Sequence, residues 1–311
     1  MVDKWLFDIL KITESTAIAC YDWIGKGDNI AADKTAVDVM RKKLNKIAID
    51  GKVVIGEGER DKAPMLYIGE KVGNGKEQID IAVDPLEGTS ICARADQGAM
   101  AVIAFSTQGS FLNAPDIYME KIAIGAGFPK DIVKINNSVQ ENLTNLAKHK
   151  QCHTQELTAI VLDRKRHKQM INEIRSLGVK IKLIGDGDIS AVIATSLPNS
   201  DADIYMGIGG APEGVLAASA LKCIGGQMET KLVFNNNDQI VRAKEMGVSN
   251  IDKIYNIDEL VSDDVIFSAT GVTDGLLMDG VKKCNNEKFV TETLLMSSAQ
   301  KKSFKIRTSR Y

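Results

Sequence analysis

Two rhythms of apolar residues alternate along the chain. Val37, Met40, Leu44 and Ile47 recur at steps of three and four, which predicts a helix beginning near Asp33 with one buried stripe. Before it, MVDKWLFDILKITESTAIACYDWIG carries Asp3, Asp8 and Glu14 among its apolar positions, so it reads as an amphipathic helix over roughly residues 2–24, stopped by Gly25-Lys26-Gly27. KVVIGEGE (52–59), IDIAVDPLEGT (79–89), AMAVIAFS (99–106) and KIAIGAGF (121–128) are short apolar runs ending in turn residues, the mark of buried strands. A short helix is expected over 63–71, with Pro64 in its first turn.

The second half keeps a steadier beat. TAIVLD (158–163), VKIKLIGDGD (179–188) and DADIYMGIGG (201–210) read as strands. RHKQMINEIRSLG, ISAVIATSL and APEGVLAASALKCIGG read as the helices that follow them. This alternation predicts an α/β fold with a mostly parallel, layered sheet. Ligands of such sheets sit beyond the carboxyl ends of the strands, and here those ends are DRKRH, GDGD and GIGGAPEG. Residues 128–157 are polar and weakly patterned. The expected division is therefore 1–130 and 131–311, with the strand-like pieces DDVIFSATGVTDG and FVTETLLM free to return to the first half.

With 311 residues, 44% hydrophobic and 26% charged, the chain has the balance of a globular protein large enough for two subdomains. A formal charge of −2 supplies no electrostatic reason to expect nucleic acid, and the basic tail from Lys301 to Arg310 reads as a solvated end. No run of about twenty apolar residues suggests a membrane span. Five scattered cysteines without a CxxC pair suit reduced thiols in the cytoplasm, and three histidines are too few and too dispersed for a histidine-built metal centre.

Candidate chemistry lies in the acids. Asp84 and Glu87 share the turn DPLEGT, and two carboxylates about 4 Å apart repel by about 4 kcal/mol at an effective dielectric of about 20. Such a pair either faces water or holds a cation. GEGE (56–59) reads in isolation as a solvated turn, Asp33 as a helix N-cap and Glu213 as a surface acid in a first helical turn. Taken together, Asp33, Glu57, Glu59, Asp84, Glu87 and Glu213 all stand where apolar elements meet loops, and an oxygen-only set suits Mg²⁺ or Mn²⁺. Arg164, Lys165 and Arg166 could grip a phosphate, and Gly207-Ile208-Gly209-Gly210 precedes a helix N-terminus that would attract one. Acids beside phosphate-gripping loops would repel the ligand unless two or three cations lay between. That combination describes phosphoryl transfer to water, with the Thr89 hydroxyl orienting the water and Glu57 or Glu59 taking its proton.

DPLEGT resembles the aspartate-proline-x-acid-glycine-Ser/Thr signature of the lithium-sensitive, metal-dependent phosphatase superfamily, which includes inositol monophosphatases and fructose-1,6-bisphosphatases. IAADKTAVDVMR, VVIGEGERDKAPMLYIGEKVG, FLNAPDIYMEK, LIGDGD and YMGIGGAPEGVLAASALKC extend the likeness to the class II (GlpX-type) fructose-1,6-bisphosphatases of bacteria, from about residue 13 to the TGVTDG loop at 270–275. The resemblance implies a layered α/β/α/β/α sugar-phosphatase fold. It also implies hydrolysis of fructose 1,6-bisphosphate to fructose 6-phosphate and phosphate in gluconeogenesis, in the cytoplasm, by a homo-oligomer (dimer or tetramer). Carried over by position, it implies metal ligands at Asp33, Glu57, Asp84, Glu87 and Glu213, with the carbonyl of Leu86 as a further one. It places substrate contacts at Glu87, Gly88, Thr89, Tyr118, Arg164, Lys165, Arg166, Asp186, Gly187, Asp188 and Gly210, and makes Thr89 the catalytic hydroxyl. One departure is Lys165, which stands between two arginines where the family has proline.

Sedoheptulose 1,7-bisphosphate is the rival substrate, since the pattern does not separate the two sugars. A monophosphatase leaves the second anion-gripping loop without a task, and a non-catalytic sugar-phosphate sensor leaves the acids and Thr89 without one. A kinase would need a GxxxxGK[ST] string, which the chain lacks.

Overall fold

The computed structural model describes residues 2–56, 66–284 and 288–310. Helices α1 (Leu6–Cys20) and α2 (Asn29–Leu44) come first. Strands β1 (Ile49–Ile55), β2 (Lys71–Val72) and β3 (Glu77–Glu87) follow, then α3 (Thr89–Arg94), β4 (Met100–Thr107) and β5 (Tyr118–Ile124). The middle of the chain forms α4 (Val139–Lys150), β6 (Thr158–Leu162), α5 (Lys168–Ser176), β7 (Lys180–Ile184), α6 (Asp188–Ala194), β8 (Ile204–Gly210) and α7 (Ala211–Ile224). The last part holds β9 (Gln227–Val233), α8 (Asn237–Glu245), β10 (Ile254–Asn256), α9 (Ile257–Leu260), β11 (Val265–Gly271), β12 (Lys282–Lys283), β13 (Phe289–Ser297) and β14 (Lys302–Arg310).

Two compact units divide the chain, with boundaries at Asn113/Ala114 and Leu260/Val261 rather than near residue 130. The last strands belong to the first unit because β11 pairs along its whole length with β4. That unit's sheet runs β12-β13-β11-β4-β3-β1-β2, with β14 on the outer side of β13. Helices α1 and α2 cover one face. Ile9, Ile12, Val37, Met40 and Leu44 pack there against Val53, Ile81, Val83, Ile103 and Phe105, all almost fully buried. The 3.6-residue period of the helices and the two-residue period of the strands meet in this one core. Asp28, not Asp33, caps α2, accepting from the Ala31 N–H at 2.9 Å, so Asp33 lies inside the helix. The helix expected at 63–71 does not form where the chain is described. Residues 66–70 are extended or turning and Lys71–Val72 is strand β2, antiparallel to β1.

The second unit has the sheet order β10-β9-β5-β8-β6-β7. Helices α4 and α5 cover one face through Leu143, Leu146, Ile171 and Ile174. On the other, α7 lies so close that a Cβ at Gly214 would stand 2.4 Å from Met119 Sδ. Helix α4 occupies the stretch that reads as weakly patterned. A capping box between Ser138 and Glu141 starts it, and its short apolar stripe is diluted by polar residues.

The layered α/β reading holds in each unit, but the sheets are not mostly parallel. Among the described residues only β1–β3, β6–β7 and β6–β8 pair in parallel. The cause in the second unit is β5. Strands β8 and β9, joined by the α7 crossover, run the same way, but β5 lies between them, antiparallel to both. Strand–helix alternation fixes a crossover; it does not reveal a strand inserted from elsewhere.

Candidate active site

In the first unit the acids are set by a break in the ladder. Residues three apart on a regular strand point to opposite faces. Between Asp84 and Glu87 the register against β4 shifts: Asp84 faces Val102, while Glu87 faces Met100. The extra residue in DPLE is a bulge, and it returns Asp84 and Glu87 to one side. Their carboxylates each offer an oxygen within 4.8 Å of the other's. Glu87 is buried and Asp84 half-buried. The chain then turns through Gly88, at φ 79° and ψ 50°, where a side chain would be strained and would press on Ile91. Thr89 follows, half-buried, as the first residue of α3. Asp33, half-buried, comes from α2, which packs on β3 and α3. The Leu86 side chain is buried. Glu57 and Glu59, candidates for metal binding and proton transfer, lie outside the described residues.

In the second unit the parallel strands β6, β7 and β8 deliver their carboxyl ends to one edge. Tyr118 joins that edge because β5 runs antiparallel and pairs Tyr118 with Gly210. Arg166, in the loop after β6, donates from Nε and Nη2 to the Ile208 carbonyl at 3.0 and 2.6 Å, and its guanidinium lies 4.7 Å from the centre of the Tyr118 ring. Arg164 and Lys165 are exposed beside it. Gly187 takes the left-handed conformation, φ 86°, and its N–H donates to Asp186 Oδ1 at 3.1 Å. Asp188 is buried, paired with the Lys121 ammonium.

His167 holds this edge together, and nothing in its sequence position gave it a role. The Ile208 N–H donates to Nε2 at 2.8 Å, so Nε2 carries no proton and Nδ1 donates to the Leu162 carbonyl at 2.7 Å. Burial, opposed by the Leu162 contact and aided by Arg166 and Arg164, keeps the ring's pKa below its usual range. A histidine held neutral in the fold contributes stability that is present above its unfolded pKa of about 6.5 and lost as pH falls below it. Denaturant melts of the wild type should lose stability between pH 7.5 and 5.5 through this group. His167→Gln should lack that component, and His167→Ala should cost about 2–4 kcal/mol at pH 7.5 and less at pH 5.5, where the wild type has already lost part of this contribution.

The glycine run was expected to cradle an anion. The positions that side chains would take on two of its glycines are filled by the protein's own carboxylates. A Cβ on Gly209 would stand 2.1 Å from Asp188 Oδ2, and one on Gly210 would stand 1.8 Å from Glu213 Oε2. Glu213, in the first turn of α7 after Pro212, therefore folds back over the glycine that caps its helix. Oε2 is buried without a hydrogen-bond partner among the described residues. Burial first, then the charge of Asp188, pushes the Glu213 pKa up to about 7, against the opposing pull of Lys121. A buried, orphaned carboxylate oxygen is a group in want of a cation, and a donor set made only of carboxylates fits Mg²⁺ or Mn²⁺. Gly210→Ala should displace this carboxylate and weaken Mn²⁺ binding about tenfold or more, as titration calorimetry would read.

Lys121 and Tyr205 also escaped the sequence reading. A signal existed for the first, since Met119, Lys121 and Ala123 share one buried face of β5, where a lysine needs a partner. Tyr205, fully buried, brings its hydroxyl to 3.5 Å from Asp188 Oδ2.

The family model described as bacterial fructose-1,6-bisphosphatase, glpX-encoded, matches residues 3–310. The chain is 43% identical over 320 residues to the D-fructose 1,6-bisphosphatase class 2/sedoheptulose 1,7-bisphosphatase of Trichodesmium erythraeum, covering 94% of this chain and 92% of that one. It is 47% identical over 290 residues to the protein of the same name from Prochlorococcus marinus strain MIT 9515, covering 88% and 87%. To fructose-1,6-bisphosphatase 1 class 2 of Escherichia coli K12 it is 42% identical over 316 residues, covering 97% and 93%.

Proposed function

The chain belongs to the family of glpX-encoded bacterial fructose-1,6-bisphosphatases, and from that membership we propose that it hydrolyses the 1-phosphate of fructose 1,6-bisphosphate to give fructose 6-phosphate and phosphate. It is a phosphoric monoester hydrolase. The observation that most supports this reading is the bulge that turns Asp84 and Glu87 to one side.

Asp33, Glu57, Asp84, Glu87 and Glu213, with the Leu86 carbonyl, would hold two or three Mg²⁺ or Mn²⁺ ions. When bound, these ions offset the charge of the acids and of the ester and make water a better nucleophile at neutral pH. The remaining roles fall to the chain itself. The Thr89 hydroxyl orients the attacking water, and Glu57 or Glu59 accepts its proton. Arg164 and Arg166 hold the phosphate that is not cut, Arg166 from a position already fixed by the Ile208 carbonyl and the Tyr118 ring. Lys165 adds a third positive charge on a flexible stem. Asp186 and Asp188 accept from sugar hydroxyls, while the backbone of Gly88, Gly187 and Gly210 lets the substrate approach closely. The proposed setting is the cytoplasm, in gluconeogenesis, and the proposed assembly is a homo-oligomer. Among the described residues no helix is long and apolar enough to cross a membrane.

Phosphate release from fructose 1,6-bisphosphate tests this reading. It should require Mg²⁺ or Mn²⁺ and stop with a chelator. Activity that survives chelation, or none with either ion, would sink it. A second reading has support in the names of the cyanobacterial relatives, which include sedoheptulose 1,7-bisphosphatase. The same assay with the seven-carbon bisphosphate decides whether one site serves both sugars.

A further inference from the structure

Lys121 is an unusual residue to find where it is. It sits at the middle of a three-residue apolar face of β5 with 1% of its surface exposed, between Met119 and Ala123, both at 0%. Burying an ammonium is costly unless a charged partner and hydrogen bonds compensate it. The compensation is Asp188, whose Oδ2 accepts a hydrogen bond from the Lys121 ammonium and also faces the Tyr205 hydroxyl at 3.5 Å. Two glycines keep the room open. A Cβ on Gly209 would come within 2.9 Å of Lys121 Nζ as well as striking Asp188, and one on Gly214 would come within 3.3 Å of Lys121 Cε.

The pair joins separate elements: Lys121 rises from β5, Asp188 opens α6, and Gly209 belongs to β8. Asp188 alone would be free to choose among rotamers. With Oδ2 taken by Lys121 and Tyr205, its orientation is fixed. Oδ1, which makes no hydrogen bond among the described residues, is the acceptor left over for a ligand.

We propose that Lys121 is a positioning residue for substrate: through the buried Lys121–Asp188 pair it fixes the free oxygen of Asp188 to receive a hydroxyl of the sugar. The inference rests on the sugar-bisphosphatase reading above and deepens it. The loss of Lys121 acts on substrate binding through Asp188, and its pull on the Glu213 carboxyl is kept out of the comparison by assaying at pH 8 in saturating Mn²⁺.

A double-mutant cycle tests this on the full-length enzyme with Mn²⁺ and fructose 1,6-bisphosphate. Lys121→Met should raise KM about tenfold or more with kcat within about threefold of wild type, the size expected when a binding group loses its orientation. Asp188→Asn should raise KM similarly. Lys121→Met added to Asp188→Asn should move KM by less than about twofold, because the group it acts through is already disabled. Effects that add in full, an unchanged KM in either single variant, or a loss confined to kcat would overturn the proposal. If Lys121→Met alone fails to fold, Asp188→Asn against Lys121→Met/Asp188→Asn still decides. There an equal KM supports the proposal and a further tenfold rise overturns it. A wild-type enzyme inactive on both bisphosphates would overturn the underlying reading and this inference together; an active one with additive effects overturns the inference alone.

Discussion

Asp84→Asn should lower kcat/KM for fructose 1,6-bisphosphate by about a thousandfold or more, close to 4 kcal/mol of transition-state stabilisation, while leaving the metal-free protein at least as stable as wild type. The two halves of that expectation have one cause. The bulge in DPLE brings two carboxylates within 4.8 Å and leaves them facing the same way. Without a cation, removing one of two like charges lessens the repulsion between them. With a cation, the same change removes a charged ligand and weakens the grip on the ion that admits the anionic ester. A structural acid would behave in the opposite manner, losing stability on substitution and little activity. Thermal melts in chelator, set beside steady-state rates in Mn²⁺, read both halves. Activity within tenfold of wild type would remove Asp84 from the metal site.

The second large effect is on pH. Glu213 has its pKa raised to about 7 by burial and by the nearby charge of Asp188. A carboxyl raised in the fold contributes stability that is fully present below its unfolded value of about 4.3, and that stability is lost as pH rises through about 7. Metal binding at Glu213, as proposed, would run the other way, because an ion would need the carboxylate and would displace the proton. Below about pH 7 each unit of acidification should therefore weaken Mn²⁺ binding by up to about tenfold, or about 1.4 kcal/mol, with the dependence flattening above that pH. Calorimetry at pH 6 in buffers of different ionisation heat should show close to one proton released per ion bound at this residue. In Glu213→Gln that release should vanish. Equal affinities at pH 6 and 8 would show that Glu213 takes no part.

The places where sequence and structure agree share a physical basis. Helix α2 was legible because burial on one face leaves a period, strands β3, β4 and β6 because burial on both faces leaves a continuous apolar run, and DPLEGT because proline, glycine and two acids crowd one turn. What escaped was long-range. The insertion of β5 between β8 and β9 depends on pairings across 80 residues or more, and no local rhythm records it. Helix α4 was hidden because its few apolar residues are separated by polar ones. At the candidate site, Asp33 reads in isolation as a cap, yet Asp28 does that work and Asp33 lies inside the helix. The glycines of GIGG were visible, but not their purpose. They make room for Asp188 and Glu213, which approach from elsewhere in the chain. His167 and Lys121 were passed over for the same reason. Each acts through partners that only folding brings near.

Binding of uncut substrate is the most direct measurement of whether cations open these acids to an anion. Thr89→Ala, which should turn over too slowly to consume its ligand, can be titrated with fructose 1,6-bisphosphate in Mn²⁺ and again in chelator. The dissociation constant should be about a hundredfold or more lower with Mn²⁺, because about 2.7 kcal/mol or more of charge repulsion is offset by the ion. Equal affinity under the two conditions would contradict that role for the metal.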